Sequence, residues 1–193
     1  MHLESNQIVF SPSDLTLFME SPFASWMEHL AITHPDLLPA SDEKDELLSV
    51  LHDMGNQHEL EILAAYEASG LTVANLHKRT DSYQATMDAM QKGVDIIYQA
   101  HLELVPFRGY ADFLVKVEGK SIFGNYCYEV WDTKLAKSVK PYFLIQLCCY
   151  AEMLEAMQLT SAEHITIVLG NKEQKRFRIN DYFISTRILN INF

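Results

Sequence analysis

Cysteine is scarce in this sequence: three in 193 residues, Cys127, Cys148 and Cys149, two of them adjacent. That count excludes a disulfide framework and makes a reduced, cytoplasmic setting the expectation. No uninterrupted apolar stretch reaches the ~18 residues that a membrane span requires. The opening Met1-His2-Leu3-Glu4 has neither a basic start nor an apolar run, which argues against secretion and against a membrane partner. Internal repeats and low-complexity tracts are absent, and the eight histidines include no His-x-x-x-His zinc pair. Basic residues are few as well. Fifteen Lys and Arg stand against 26 Asp and Glu, for a net charge of −11, which at first sight disfavours a nucleic-acid partner. The deficit is uneven, however. Residues 1–107 hold 17 acidic and 4 basic side chains, while residues 108–193 hold 9 acidic and 11 basic. Any phosphate-binding surface is therefore expected in the second half.

What is present is ordinary globular material. Apolar residues make up 48% and charged residues 21%, enough for one real core and one domain over residues 1–193. Ser11-Pro12-Ser13-Asp14 opens a first helix; Pro22 stops it and starts a second. His34-Pro35-Asp36 through Ser41 reads as a loop. A long helix is expected over residues 42–69, with Leu47, Leu51, Met54 and Leu63 at helical spacing, Gly55 as a candidate kink and Gly70 as its end. A short strand over 71–76 and a helix from Thr80 to Lys92 follow. Strands are then expected over 96–104, 107–117 and 126–134, a helix over 141–157, and strands over 164–169 and 176–179. Helices, a three-strand meander, a helix and two strands predict an α/β (α+β) layer fold with a mixed central sheet flanked by helices.

Three polar features interrupt these elements. In Tyr128-Glu129-Val130-Trp131-Asp132-Thr133-Lys134, alternation puts Asp132 and Lys134 on one strand face, about 7 Å apart, and Glu129 on the other. A carboxylate and an ammonium so placed can serve one reaction centre: one holds a hard cation, the other orients or activates a water. The Asp/Glu-x-Lys triplet also occurs at Asp42, Glu118 and Glu173, in polar turns or helix starts, where it reads as a solvated ion pair. Only Asp132 is preceded by aromatic and aliphatic residues. In Gly109-Tyr110-Ala111-Asp112-Phe113-Leu114-Val115 an aspartate lies in an apolar strand, costly to bury without compensation. A hairpin around residues 118–125 brings Asp112 towards Asp132, and a divalent cation would relieve their repulsion. The plainer alternative is an aspartate capping a turn or pairing with Arg108. Gln146 and Tyr150 lie one turn apart on a helix; taken alone they are polar decoration.

With Gly55 and His58, these features in this order resemble the RecB-like, PD-(D/E)XK nuclease family, and more narrowly its subgroup fused to helicase-like segments. Members have a glycine and then a histidine on an early helix, matched by Gly55 and His58. A Gly-x-x-Asp strand is matched by Gly109 and Asp112, an Asp-x-Lys strand by Asp132 and Lys134, and a Gln-x-x-x-Tyr helix by Gln146 and Tyr150. The likeness runs over residues 9–182. It implies a restriction-endonuclease-like fold and a Mg²⁺- or Mn²⁺-dependent exodeoxyribonuclease. His58, Asp112, Asp132 and the Thr133 backbone carbonyl would bind metal, a donor set suited to Mn²⁺ and tolerant of Mg²⁺. Lys134 would act on water, with Gln146 and Tyr150 supporting it and approaching DNA. The implied partners are DNA and a helicase segment or subunit. Lys137 and Lys140, just beyond Lys134 and at the start of the next helix, are the candidate DNA-backbone contacts; elsewhere such lysines are solvated loop residues. Several members also carry an iron–sulfur cluster on one early and three late cysteines. Here Ser21 occupies the early position and the late triplet is missing, so no cluster is expected. Longer members continue into further enzymatic segments, so residues 1–193 read as the N-terminal part of such an architecture, with residues 184–193 as a remnant. Two rival readings remain: a binding module that keeps the fold with little turnover, and a zinc site on the cysteines. The second is disfavoured because adjacent helical residues diverge by ~100°.

Overall fold

A computed structural model describes residues 1–38 and 46–182. Ser11 precedes the first helix, α1 (Pro12–Glu20), and its backbone N–H donates to Asp14 Oδ2 at 2.7 Å. Pro22 cannot continue α1 but suits the first turn of α2 (Pro22–Thr33). Ser21 caps α2, its hydroxyl accepting from the Ala24 N–H at 3.2 Å. Helix α3 (Glu46–Ala68) runs without a break through Gly55. The first residues of the helix expected from Asp42, the Asp42 triplet and the tail 184–193 lie outside the described residues. Helix α4 (Ser82–Gln91) starts one residue later than expected, with Asp81 rather than Thr80 at its cap.

Before α1 stands a small antiparallel hairpin that the sequence pattern does not announce, β1 (His2–Glu4) and β2 (Gln7–Val9). Its turn residues Ser5 and Asn6 both have positive φ. The main sheet has six strands in the order β3 (Val73–Asn75), β4 (Ile96–Leu104), β5 (Phe107–Ser121), β6 (Gly124–Lys134), β7 (His164–Leu169) and β8 (Gln174–Arg178). Pairs β3–β4 and β6–β7 are parallel and the rest antiparallel, which makes the expected mixed sheet. The hairpin joining β5 to β6 is longer than expected, its ladder reaching Ser121 and Gly124. The central strands are buried on both faces and accordingly apolar.

One face of the sheet packs against α1, α4 and α5 (Pro141–Gln158), burying Ile97, Leu114, Val130, Leu147, Met153 and Ile167. The other face buries Ile96, Tyr98, Phe113 and Val168 with Ile62 and Leu63 of α3. Cys127, Cys148 and Cys149 are free, buried thiols. Burial pushes the Cys148 thiol up to about 11 and Cys149 further, as befits inert core residues. Among the described residues no helix is long and apolar enough to cross a membrane.

Candidate active site

The β5–β6 ladder ends at the pair Phe113 and Trp131. Beyond it β6 stays paired with β7, through Trp131 to Lys134, while β5 continues along β4. The two strands part like a fork, and the Asp112 carboxylate stands at the parting. Asp112 Oδ2 accepts from the Thr133 N–H at 2.8 Å and from the Thr133 hydroxyl at 2.9 Å. A side chain thus takes the place of the backbone carbonyl that β5 no longer offers. The alternative partner for Asp112, Arg108, is engaged elsewhere, with Glu4 at 2.7 Å and Glu103 at 2.9 Å.

Asp132 and Lys134 share a face of β6, as alternation requires, with Lys134 Nζ 2.8 Å from Asp132 Oδ2. The contact is a close ion pair without the alignment of a good hydrogen bond. Lys134 Nζ also lies 5.4 Å from the centre of the Phe143 ring of α5. Glu129 faces the other way and pairs with Arg176 at 2.9 Å, apart from this cluster. Asp132 is only 3% exposed. Burial pushes its carboxyl up to about 7, Lys134 opposes the shift, and the Asp112 charge adds to it. For Lys134, burial favours the neutral amine. The charges of Asp132, Asp112 and Glu59 outweigh that, and the ammonium ends above its ordinary value.

The fork also breaks the pleat. Tyr98 pairs with Phe113 and Ala100 with Ala111, but Gln99 and Asp112 between them do not pair. Gln99 sits at φ 55° in mid-strand, a left-handed conformation rare outside glycine and asparagine. In consequence Ile97 and Ala100, three residues apart, face the same core, and so do Leu114 and Ala111. The reversal aims the Gln99 amide at Glu59 of α3, whose Oε1 accepts from Gln99 Nε2. Glu59 is half-buried, and its carboxyl is pushed up to about 7 by burial and by the charges of Asp112 and Asp132. Sequence reasoning missed Glu59, because a carboxylate on an amphipathic helix in an acidic half reads as solvated. The available signal was Gln99, a polar residue inside the apolar run from Ile96 to Leu102.

His58, the residue before Glu59, is 6% exposed. Its Nε2 is buried without a hydrogen-bond partner among the described residues. Tyr150 is buried against Gly109, and its hydroxyl donates to the Tyr110 carbonyl of β5 at 2.9 Å, past the fork. It ties α5 to the strand that has parted from β6. Gln146 is buried one turn earlier on α5. Lys137 and Lys140 are both exposed between β6 and α5; Lys140 precedes Pro141 and lies over the Tyr142 ring at 5.4 Å.

These donors fit a hard divalent cation in kind: one buried and one half-buried carboxylate that repel each other, Asp132 and Asp112, and the His58 Nε2, which has no hydrogen-bond partner among the described residues. They do not form a closed cage. Among the described residues no three His, Cys, Asp or Glu side chains stand close enough together to hold an ion.

No family model matches the sequence, and no curated protein matches it. Among solved structures the chain is similar to one described as "Crystal structure of SSO0001", with 12% identity and a TM-score of 0.42. That match covers 97% of this chain and 79% of the other. A likeness so slight carries no argument about the site.

Proposed function

We propose that this chain is a divalent-metal-dependent nuclease that hydrolyses DNA phosphodiester bonds, an exodeoxyribonuclease of the RecB-like kind. The observation that carries the reading is the buried Asp132–Lys134 pair beside Asp112 at the point where β5 leaves β6. Burying a carboxylate this deeply is costly unless a cation compensates it, and carboxyls perturbed in this way cluster at functional sites. His58, Asp112, Asp132 and the Thr133 carbonyl are the residues that would hold Mg²⁺ or Mn²⁺. The bound cation would supply Lewis-acid polarisation of a phosphoryl oxygen and a more acidic water. Lys134, charged and held by Asp132, would orient the attacking water and offset negative charge growing on the phosphate. Tyr150 and Gln146 would keep α5 and β5 in place around it. Exposed Lys137 and Lys140 would meet the flanking DNA backbone. The setting proposed is the cytoplasm, in repair, recombination or defence, with a helicase segment or subunit as partner and no iron–sulfur cluster.

A second reading is a DNA- or helicase-binding module with little turnover. The open cage favours it, with Lys134 already occupying one oxygen of Asp132. One experiment separates the two: digestion of end-labelled single- and double-stranded DNA with Mn²⁺, alongside Mn²⁺ calorimetry. The nuclease reading expects cleavage that Asp132→Ala abolishes, with weaker Mn²⁺ binding and an unchanged circular dichroism spectrum. It expects Lys134→Ala to lose orders of magnitude in turnover while keeping metal affinity, since a nearby positive charge is removed. Binding without cleavage by the wild-type protein selects the module, and undiminished Mn²⁺ affinity in Asp132→Ala removes Asp132 from the metal set.

A further inference from the structure

Glu59 also lines a cleft of ≈ 480 Å³ between α3, β4 and the loop that follows β3. We infer that this cleft is a subsite for one nucleoside monophosphate unit, an assignment that rests on the nuclease reading and deepens it. The volume lies within the ~300–1,000 Å³ range of small-molecule sites. The lining supplies what such a unit offers for recognition. Lys78, exposed and in a left-handed turn at φ 58°, makes no ion pair among the described residues and is free to meet a phosphate. His77, also exposed, presents a ring backed by the buried Tyr98, with centroids 6.3 Å apart and planes tilted by 34°. A flat base can stack on that ring, as bases do on aromatic side chains generally. His52 and Asn56 lie one turn apart on the opposite wall, already hydrogen-bonded to each other at 3.1 Å, and present polar groups to a base edge.

Charge agrees with this assignment locally although the first half of the chain is acidic. Within the cleft one lysine, Lys78, balances the single carboxylate, Glu59, so the lining lacks the negative excess of the surrounding half. Glu59 is shared: it lines the cleft and feels the charges of Asp112 and Asp132. Through Glu59 the cleft adjoins the Asp112–Asp132 cluster electrostatically, so on the nuclease reading it would select a strand end or hold the released mononucleotide.

The test is calorimetric titration in EDTA with dTMP and, separately, with a 5′-phosphorylated oligothymidylate. The proteins are wild type, His77→Ala, Lys78→Ala and Asp132→Ala. Both substituted cleft residues are exposed, so the variants should melt with the wild type. The expected result is dTMP binding weakened on the order of tenfold by each cleft substitution. Asp132→Ala should bind dTMP like the wild type while failing to cleave DNA. Binding of the oligonucleotide as well identifies the seat of a strand end; binding of dTMP alone identifies the seat of the released product. Absence of dTMP binding at millimolar concentration, or binding indifferent to His77 and Lys78, overturns the subsite. A wild type that binds dTMP through these residues and never cleaves DNA overturns the nuclease reading instead.

Discussion

Two carboxyls, Asp132 and Glu59, are pushed up to about 7, in both cases first by burial. A carboxyl whose folded value lies above its unfolded value, near 4, stabilises the fold in its protonated form. Its contribution is complete below about pH 4 and is lost as the pH rises through about 7. His101, whose imidazole is held below its usual value by burial, opposes this as one group against two, so the metal-free protein should melt higher at about pH 5 than at about pH 8. Asp95, held down to about 2 by Lys116, acts only below that window. At the proposed metal site Mn²⁺ would bind the deprotonated carboxylates, so on that reading it should raise Tm more at the higher pH, and Asp132→Asn should flatten the metal-free difference. A metal-free Tm that is equal or higher at about pH 8 contradicts the assignment. At this scale Asp112, Asp132 and Lys134 were legible because strand alternation and an aspartate among apolar residues are visible in sequence. Glu59 was not. It depends on a backbone reversal at Gln99, a residue type that carries no turn signal.

Elements report on the close fit between α1, β5 and α5. A methyl added at Gly109 would stand 2.8 Å from Pro12 Cδ and 2.9 Å from the Tyr150 hydroxyl, closer than side chains tolerate. Gly109→Ala should push α5 off the strand and cost about 1–3 kcal/mol of stability in chemical denaturation. An unchanged midpoint would show that Tyr150 and Pro12 can move aside freely. This glycine, one position of the Gly-x-x-Asp pattern, thus has a packing reason of its own. Most element types and order were readable, since prolines open α1, α2 and α5 and the central strands are apolar runs. The β1–β2 hairpin escaped because each strand is three residues long and its turn is Ser5-Asn6 rather than a glycine dipeptide. Thr80 resembles a cap, but Asp81 and Ser82 follow it with equally suitable side chains. Ser82 is instead buried, 2.8 Å from His101 Nδ1.

For the whole molecule, the charge asymmetry sets where a polyanion can lie. Lys137 and Lys140 are exposed beside the β6 end that carries Lys134. On the proposed nuclease reading, the Lys137→Ala, Lys140→Ala double variant should bind DNA more weakly. Each phosphate that no longer meets a lysine should reduce the log–log salt slope by roughly 0.7 to 0.9, with Mn²⁺ affinity unchanged. Wild-type affinity and slope in that variant would move the DNA path elsewhere. The sheet order has another consequence, in time rather than in space. From β3 to β8 each strand pairs with the one before it in the chain. Sheet assembly can therefore follow synthesis strand by strand, with little waiting for distant partners. The exception is the amino-terminal hairpin, which meets the sheet through the bridge of Phe10 to Phe107 and the Glu4–Arg108 ion pair. Those residues can pair as β1 and β2 at once, but their seat on the sheet forms only when more than a hundred residues further along the chain have been made.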